Sequence, residues 1–199
     1  NAFYLNITKI TATVVLPIFC GGFLLGEGLI RLLLNEQWYP MITLFRYLCL
    51  VQIFVSMTTV NHTVHSAQGK PGRVIFLNFT RVIFMPLSFF FAVQYGMNAI
   101  LVPWCTTYMI ITLAWLVYTL NKLDISMVSY LRTLRVPASA TAMMAVAVAA
   151  MEYLIGYIQI KIPLYVSLSV EMIVGAAMYG FILWRLDSDL LKRLRILIR

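Results

Sequence analysis

The sequence predicts an all-α polytopic membrane protein, and three observations carry that prediction. Of the 199 residues, 62% are hydrophobic and only 11% are charged, too few charges to cover a soluble domain of this length. Apolar runs recur along the whole chain, each close to the roughly 20 residues that a helix needs to cross about 30 Å of hydrocarbon. Strict alternation of apolar and polar residues is missing, which disfavours a membrane β-barrel.

Six spans follow: Ile10–Leu34, Pro40–Val64, Val74–Tyr95, Ala99–Leu120, Pro137–Ile160 and Pro163–Trp184. The start, "NAFYLNITKI", has neither an initiator Met nor the features of a signal peptide, so it is expected to be an internal stretch leading into the first span. Pro17 should kink that span, and "GGFLLGEG" sets Gly22 and Gly26 in a G-x-x-x-G pattern through which another helix can approach closely. The loop "NEQWYP" holds Trp38 and Tyr39, an aromatic pair suited to the membrane interface. The basic turn "HSAQGKPGR" breaks the helix at Gly69, Pro71 and Gly72, and "QYGMN" is an uncharged hairpin after a span that Pro86 should kink. Pro40, Pro103, Pro137 and Pro163 stand where segments open and a missing N–H costs nothing.

In the longest connection, "NKLDISMVSYLRTLRVP", Asp124 or Ser126 can cap a short amphipathic helix with Met127, Leu131 and Leu134 on one face. After Trp184, "DSDLLKRLRILIR" reads either as a basic amphipathic helix on the membrane surface or as a solvated tail. The expected organisation is therefore 1–136, four transmembrane helices plus a cytoplasmic amphipathic connection, and 137–199, two further transmembrane helices plus a basic tail. Cys20, Cys49 and Cys105 lie in apolar runs without C-x-x-C spacing, so they are expected to be small buried hydrophobes and not disulfides or metal ligands.

The net charge of +8 is explained by its placement. With six spans, Lys9, Lys70, Arg73, Lys122, Arg132, Arg135, Arg185, Lys192, Arg193, Arg195 and Arg199 fall on one side, and only Arg31 and Lys161 on the other. Such asymmetry in short loops places that side, and both ends, in the cytoplasm. The basic excess is an orientation signal and no nucleic-acid footprint.

The order of residues then becomes familiar. Pro17 in one span precedes "LLNEQW" (Leu33–Trp38) at its outer end; "LFRYL" (Leu44–Leu48) opens the next, and Asn61, Ala67 and Gly69–Lys70 lead into the turn. This order resembles the polysaccharide-exporter branch of the multidrug/oligosaccharidyl-lipid/polysaccharide (MOP) superfamily. "LDISMVSYLRTLRVP" is similar to that family's late cytoplasmic connection. The resemblance runs from about Asn1 to Pro137. It implies a bacterial inner-membrane flippase for an undecaprenyl-diphosphate-linked oligosaccharide, serving exopolysaccharide, capsule or O-antigen synthesis. It also implies two six-helix lobes around a cavity, sometimes with two extra helices. The chain would then be the C-terminal part of a 12–14-helix exporter, with its N-terminal lobe as a partner. Lipid-linked oligosaccharide and membrane lipids would be the other partners. No cofactor and no enzymatic activity are expected, and the fragment alone should not transport.

Individual residues sharpen that expectation. Arg46 lies roughly 9 Å inside the outer boundary of its span. Either it snorkels to the surface, or it faces the bundle interior and meets an anionic headgroup. Arg81, about 10 Å into the core from the other side, poses the same choice. Arg46, Arg81, Asn61 and Asn78 are the substrate-binding candidates, although asparagines in spans also bond across helices. Glu152 and Glu171 are candidates for proton or cation coupling, or are protonated carboxyls bonded to neighbouring helices. Glu27 and Arg31, four apart, are in the favourable order for a local ion pair. His62 and His65 form H-x-x-H without a further ligand nearby, and interfacial histidines are the stronger reading. Two competing functions remain. A membrane-embedded polyprenyl-phosphate glycan transferase would need clustered acids, whereas Glu36, Asp124, Asp187 and Asp189 are scattered. A multidrug exporter of the same superfamily is disfavoured by resemblance alone.

Overall fold

A computed structural model describes residues 2–69, 71–158 and 163–186. Among them there is no strand, and six helices are long and apolar enough to cross a membrane. They are α1 (Ala2–Leu33), α2 (Met41–Ala67), α3 (Pro71–Val93), α4 (Leu101–Lys122), α5 (Met127–Ile158) and α6 (Leu164–Leu186). The chain is a multi-pass helical membrane protein.

Local chemistry sets the ends. Gly69, at φ +68°, closes α2, and Gly96, at φ +97°, turns the chain after α3; both adopt the left-handed backbone that a side chain disfavours. Asp124 also has positive φ, at 51°, a conformation its short polar side chain tolerates. Ser126 is the cap of α5: its Oγ accepts the Ser129 N–H at 3.2 Å.

Three expectations need correction. No separate amphipathic helix precedes the fifth span: α5 runs unbroken from Met127, with Pro137 inside it. Proline favours a helix start, but here the flanking residues propagate the helix past the one missing N–H. On the first turns of α5 the buried anchor is Tyr130, stacked on Tyr4 with ring centroids 6.4 Å apart, whereas Met127 and Leu131 are exposed. Of the cysteines, Cys49 is buried but Cys105 is exposed. α1 also begins at Ala2, ahead of the expected Ile10. Lys70, Lys161 and the basic tail after Leu186, with Asp187 and Asp189, lie outside the described residues. A π-helical turn over Trp104–Tyr108 follows Pro103 in α4, a feature no sequence signal announced.

The chain forms two compact units. The first, Asn1–Thr11 with Leu50–Thr133, buries Tyr4, Leu77, Trp115, Leu116, Leu120 and Tyr130, together with the polar Asn61, His65, Thr112 and Thr119. The second, Ala12–Cys49 with Leu134–Arg199, has one cluster of Ala140, Met144, Tyr179, Ile182 and Leu183 and another of Leu25, Val148 and Leu168. Tyr179 donates its hydroxyl to the Thr13 carbonyl at 2.6 Å, a bond that keeps this buried phenol satisfied. Close approach in this unit depends on glycine. A Cβ on Gly22 would stand 3.0 Å from the Cys49 sulfur, one on Gly26 2.9 Å from the Phe45 ring, and one on Gly28 2.5 Å from Leu168. The G-x-x-x-G pair therefore faces α2, as its spacing suggested.

Candidate functional site

In the second unit, one cavity of about 310 Å³ gathers most of the intramembrane charge. α1 contributes Glu27 and Arg31, α2 Arg46, α5 Glu152, and α6 Ser167 and Glu171. Gly26 and Gly28 explain why these side chains meet: they let α2 and α6 pack directly on α1, one on each side of Glu27.

Glu27 sits between two cations. Arg31, one turn along the same helix, reaches its Oε1 at 2.9 Å, and Arg46 approaches its Oε2 at 3.8 Å. Arg46 also donates to the Leu24 carbonyl at 3.3 Å, while its Nε is buried without a hydrogen-bond partner among the described residues. The guanidinium of Arg31 lies 4.9 Å from the Tyr39 ring centroid. Arg46 is thus held by α1 and lines the cavity. Glu171 is only 5% exposed and accepts the Ser167 hydroxyl at 2.8 Å. Glu152 is exposed but lines the same cavity. The site therefore combines three carboxyls with two guanidiniums. With every group ionised the carboxylates outnumber the guanidiniums by one, so the arginines of such a site hold an anionic group when a carboxyl is protonated.

In the first unit a polar seam joins α2, α3 and α4. Asn61 is fully buried and accepts the Tyr4 hydroxyl at 2.6 Å, leaving its Nδ2 buried and unpaired among the described residues. Arg81 donates to Thr112 Oγ1 at 3.4 Å, and its guanidinium lies 4.8 Å from the Tyr108 ring centroid. Its Nε is likewise buried without a partner among the described residues. His65 packs inside the bundle. It is fully buried, with Nε2 3.1 Å from Thr119 Oγ1 and the Trp115 ring at 5.2 Å. Since Thr119 gives its own proton to the Trp115 carbonyl at 2.9 Å, Nε2 is the donor in that pair. Asn78, one turn before Arg81 on α3, is exposed and stands apart from the seam.

The structure thus brings Arg46, Glu152 and Glu171 together in one unit and sets Arg81 and Asn61 in the other. Sequence reasoning passed over Ser167, although its spacing from Glu171 was legible, and over Tyr4, Tyr108 and Thr112, whose roles depend on contacts between helices. Among the described residues no three His, Cys, Asp or Glu side chains come close enough to hold a metal ion.

Comparison with known proteins gives one informative likeness. No family model matches the sequence, and no solved structure matches it. The chain is 25% identical over 186 residues to the teichuronic acid biosynthesis protein TuaB of Bacillus subtilis (strain 168). The matched stretch covers 90% of this chain and 37% of that relative's length.

Proposed function

We propose that the chain forms part of a polysaccharide-biosynthesis membrane protein of the bacterial cytoplasmic membrane that flips a lipid-linked oligosaccharide. The observation that carries this reading is the likeness over 90% of the chain to a protein named for making teichuronic acid, a polysaccharide. The chemistry of the site supports it. A glycan carried on a polyprenyl diphosphate is anionic at the head, and Arg46, on a helix long enough to span a membrane, lines a cavity between helices. Arg81, steadied by Thr112 and Tyr108, would add a contact in the first unit, whereas the fully buried Asn61 has no surface left to offer one.

In this reading the chain is the later part of a two-lobed MOP-type exporter, with both ends in the cytoplasm, and it does no bond chemistry of its own. The lobes would expose their shared cavity to each face of the membrane in turn. Glu152 and Glu171 share a cavity with Arg46, so a proton or cation bound at either carboxyl would change the charge that an anionic headgroup meets there.

The test is genetic and chemical. A strain lacking the intact protein should accumulate lipid-linked repeat units on the cytoplasmic leaflet, and the wild-type gene should clear them. Arg46→Ala should fail to do so. Unchanged export without the protein would end this reading, and full rescue by Arg46→Ala would remove the arginine's part in it.

A further inference from the structure

We propose that a groove between α3 and α4 binds an anionic phospholipid, with an acyl chain between the helices and its phosphate held by Arg73 and Lys122. This rests on the chain's crossing a membrane and not on its transporting a glycan. The groove has a volume of about 620 Å³, and Phe76 and Ala114 line its apolar walls with Ile110. Phe76 and Ile110 are bare, at 69% and 67% exposure, so the groove opens away from the packed unit. From Arg73 to Thr80 it runs roughly 10 Å along α3, about two thirds of the depth of one leaflet. That length suits a hydrocarbon chain.

Charge at one end chooses the occupant. Arg73 stands in the first turn of α3 and Lys122 in the last turn of α4, and each places its cation 5.9 Å from the centroid of the same Tyr118 ring. Neither forms an ion pair with a described acid, so two cations flank the Tyr118 ring at one end of an apolar slot without a counter-charge among the described residues. A phosphate diester supplies that counter-charge while its chain enters the slot. A lipid with a net negative headgroup is favoured over a zwitterionic one, whose amine would meet the same two cations.

The test uses the intact protein in nanodiscs of phosphatidylglycerol and phosphatidylethanolamine, followed by native mass spectrometry of retained lipid. Phosphatidylglycerol should be retained in preference. The Arg73→Gln/Lys122→Gln pair should reduce that retention about tenfold or more, as expected for removing two surface cations. Arg73→Lys/Lys122→Arg should keep it. Ala114→Trp, which fills the slot and leaves both cations in place, should also abolish it, with helicity by circular dichroism unchanged. Equal retention of the two lipids would overturn the proposal. So would unaltered phosphatidylglycerol retention in either the Gln pair or Ala114→Trp, or a change of oligomeric state as the sole effect of Ala114→Trp.

Discussion

The Arg46 guanidinium stands 3.8 Å from the Glu27 carboxylate on the neighbouring helix, and that same carboxylate also holds Arg31 at 2.9 Å. One acid therefore contacts two cations directly, while Glu152 and Glu171 line the same cavity. Partial exposure of both partners keeps each pair modest, since exposed ion pairs contribute about 0–1 kcal/mol. Glu27→Gln should lower stability by roughly 1 kcal/mol, because two arginines then lose their counter-charge. Adding Arg46→Gln should recover part of that loss. Thermal unfolding of the four members of the cycle in detergent gives the coupling, and simple additivity of the two changes would show that the pair contributes nothing.

Glycine positions in α1 should separate cleanly. Gly26→Val drives a side chain into the Phe45 ring, which a Cβ alone would approach to 2.9 Å, and should cost about 1–3 kcal/mol. Gly21→Ala, where an added Cβ meets no atom within 4 Å, should be neutral or mildly stabilising. Melting temperatures of the two variants check the contrast. Equal behaviour would mean that α1 and α2 are not packed through Gly26.

What was legible in the sequence was whatever one helix dictates by itself. Apolar run length gave six spans, the four-residue spacing of Gly22 and Gly26 gave a packing face, and that of Glu27 and Arg31 gave their ion pair. Contacts between helices were not legible, because register across a bundle is set by packing that no local period encodes. Hence Arg46 could be read as snorkelling or facing inward, and only the packing of α2 on Gly26 brings it to Glu27. Pro137 shows the opposite failure: a local rule for helix starts was overridden by continuation of α5 on both sides.

Tyr4 and Asn61 test whether the first unit depends on its buried polar contacts. Tyr4→Phe removes the 2.6 Å donor to Asn61 Oδ1 and leaves a fully buried amide without that partner, a cost of about 1–3 kcal/mol. Tyr4→Phe combined with Asn61→Leu removes both polar ends and should be less destabilised than Tyr4→Phe alone. Chemical or thermal denaturation in detergent measures both. If the double variant proves the weaker, Asn61 is held by more than Tyr4.

Arg81 offers the sharpest division between charge and shape. Its guanidinium lies 4.8 Å from the Tyr108 ring centroid and donates to Thr112, so both its plane and its charge are engaged. A lysine keeps the charge but cannot stack or present a planar fork. If the arginine serves an anionic headgroup as proposed, Arg81→Gln should abolish polysaccharide export and Arg81→Lys should leave part of it. Tyr108→Phe preserves the ring face and should remain close to wild type, whereas Tyr108→Leu should lose activity by misplacing the guanidinium. Export measured beside membrane protein level separates this from simple misfolding. A role confined to packing would instead make Arg81→Gln and Tyr108→Leu lower the protein level while export per molecule stays constant.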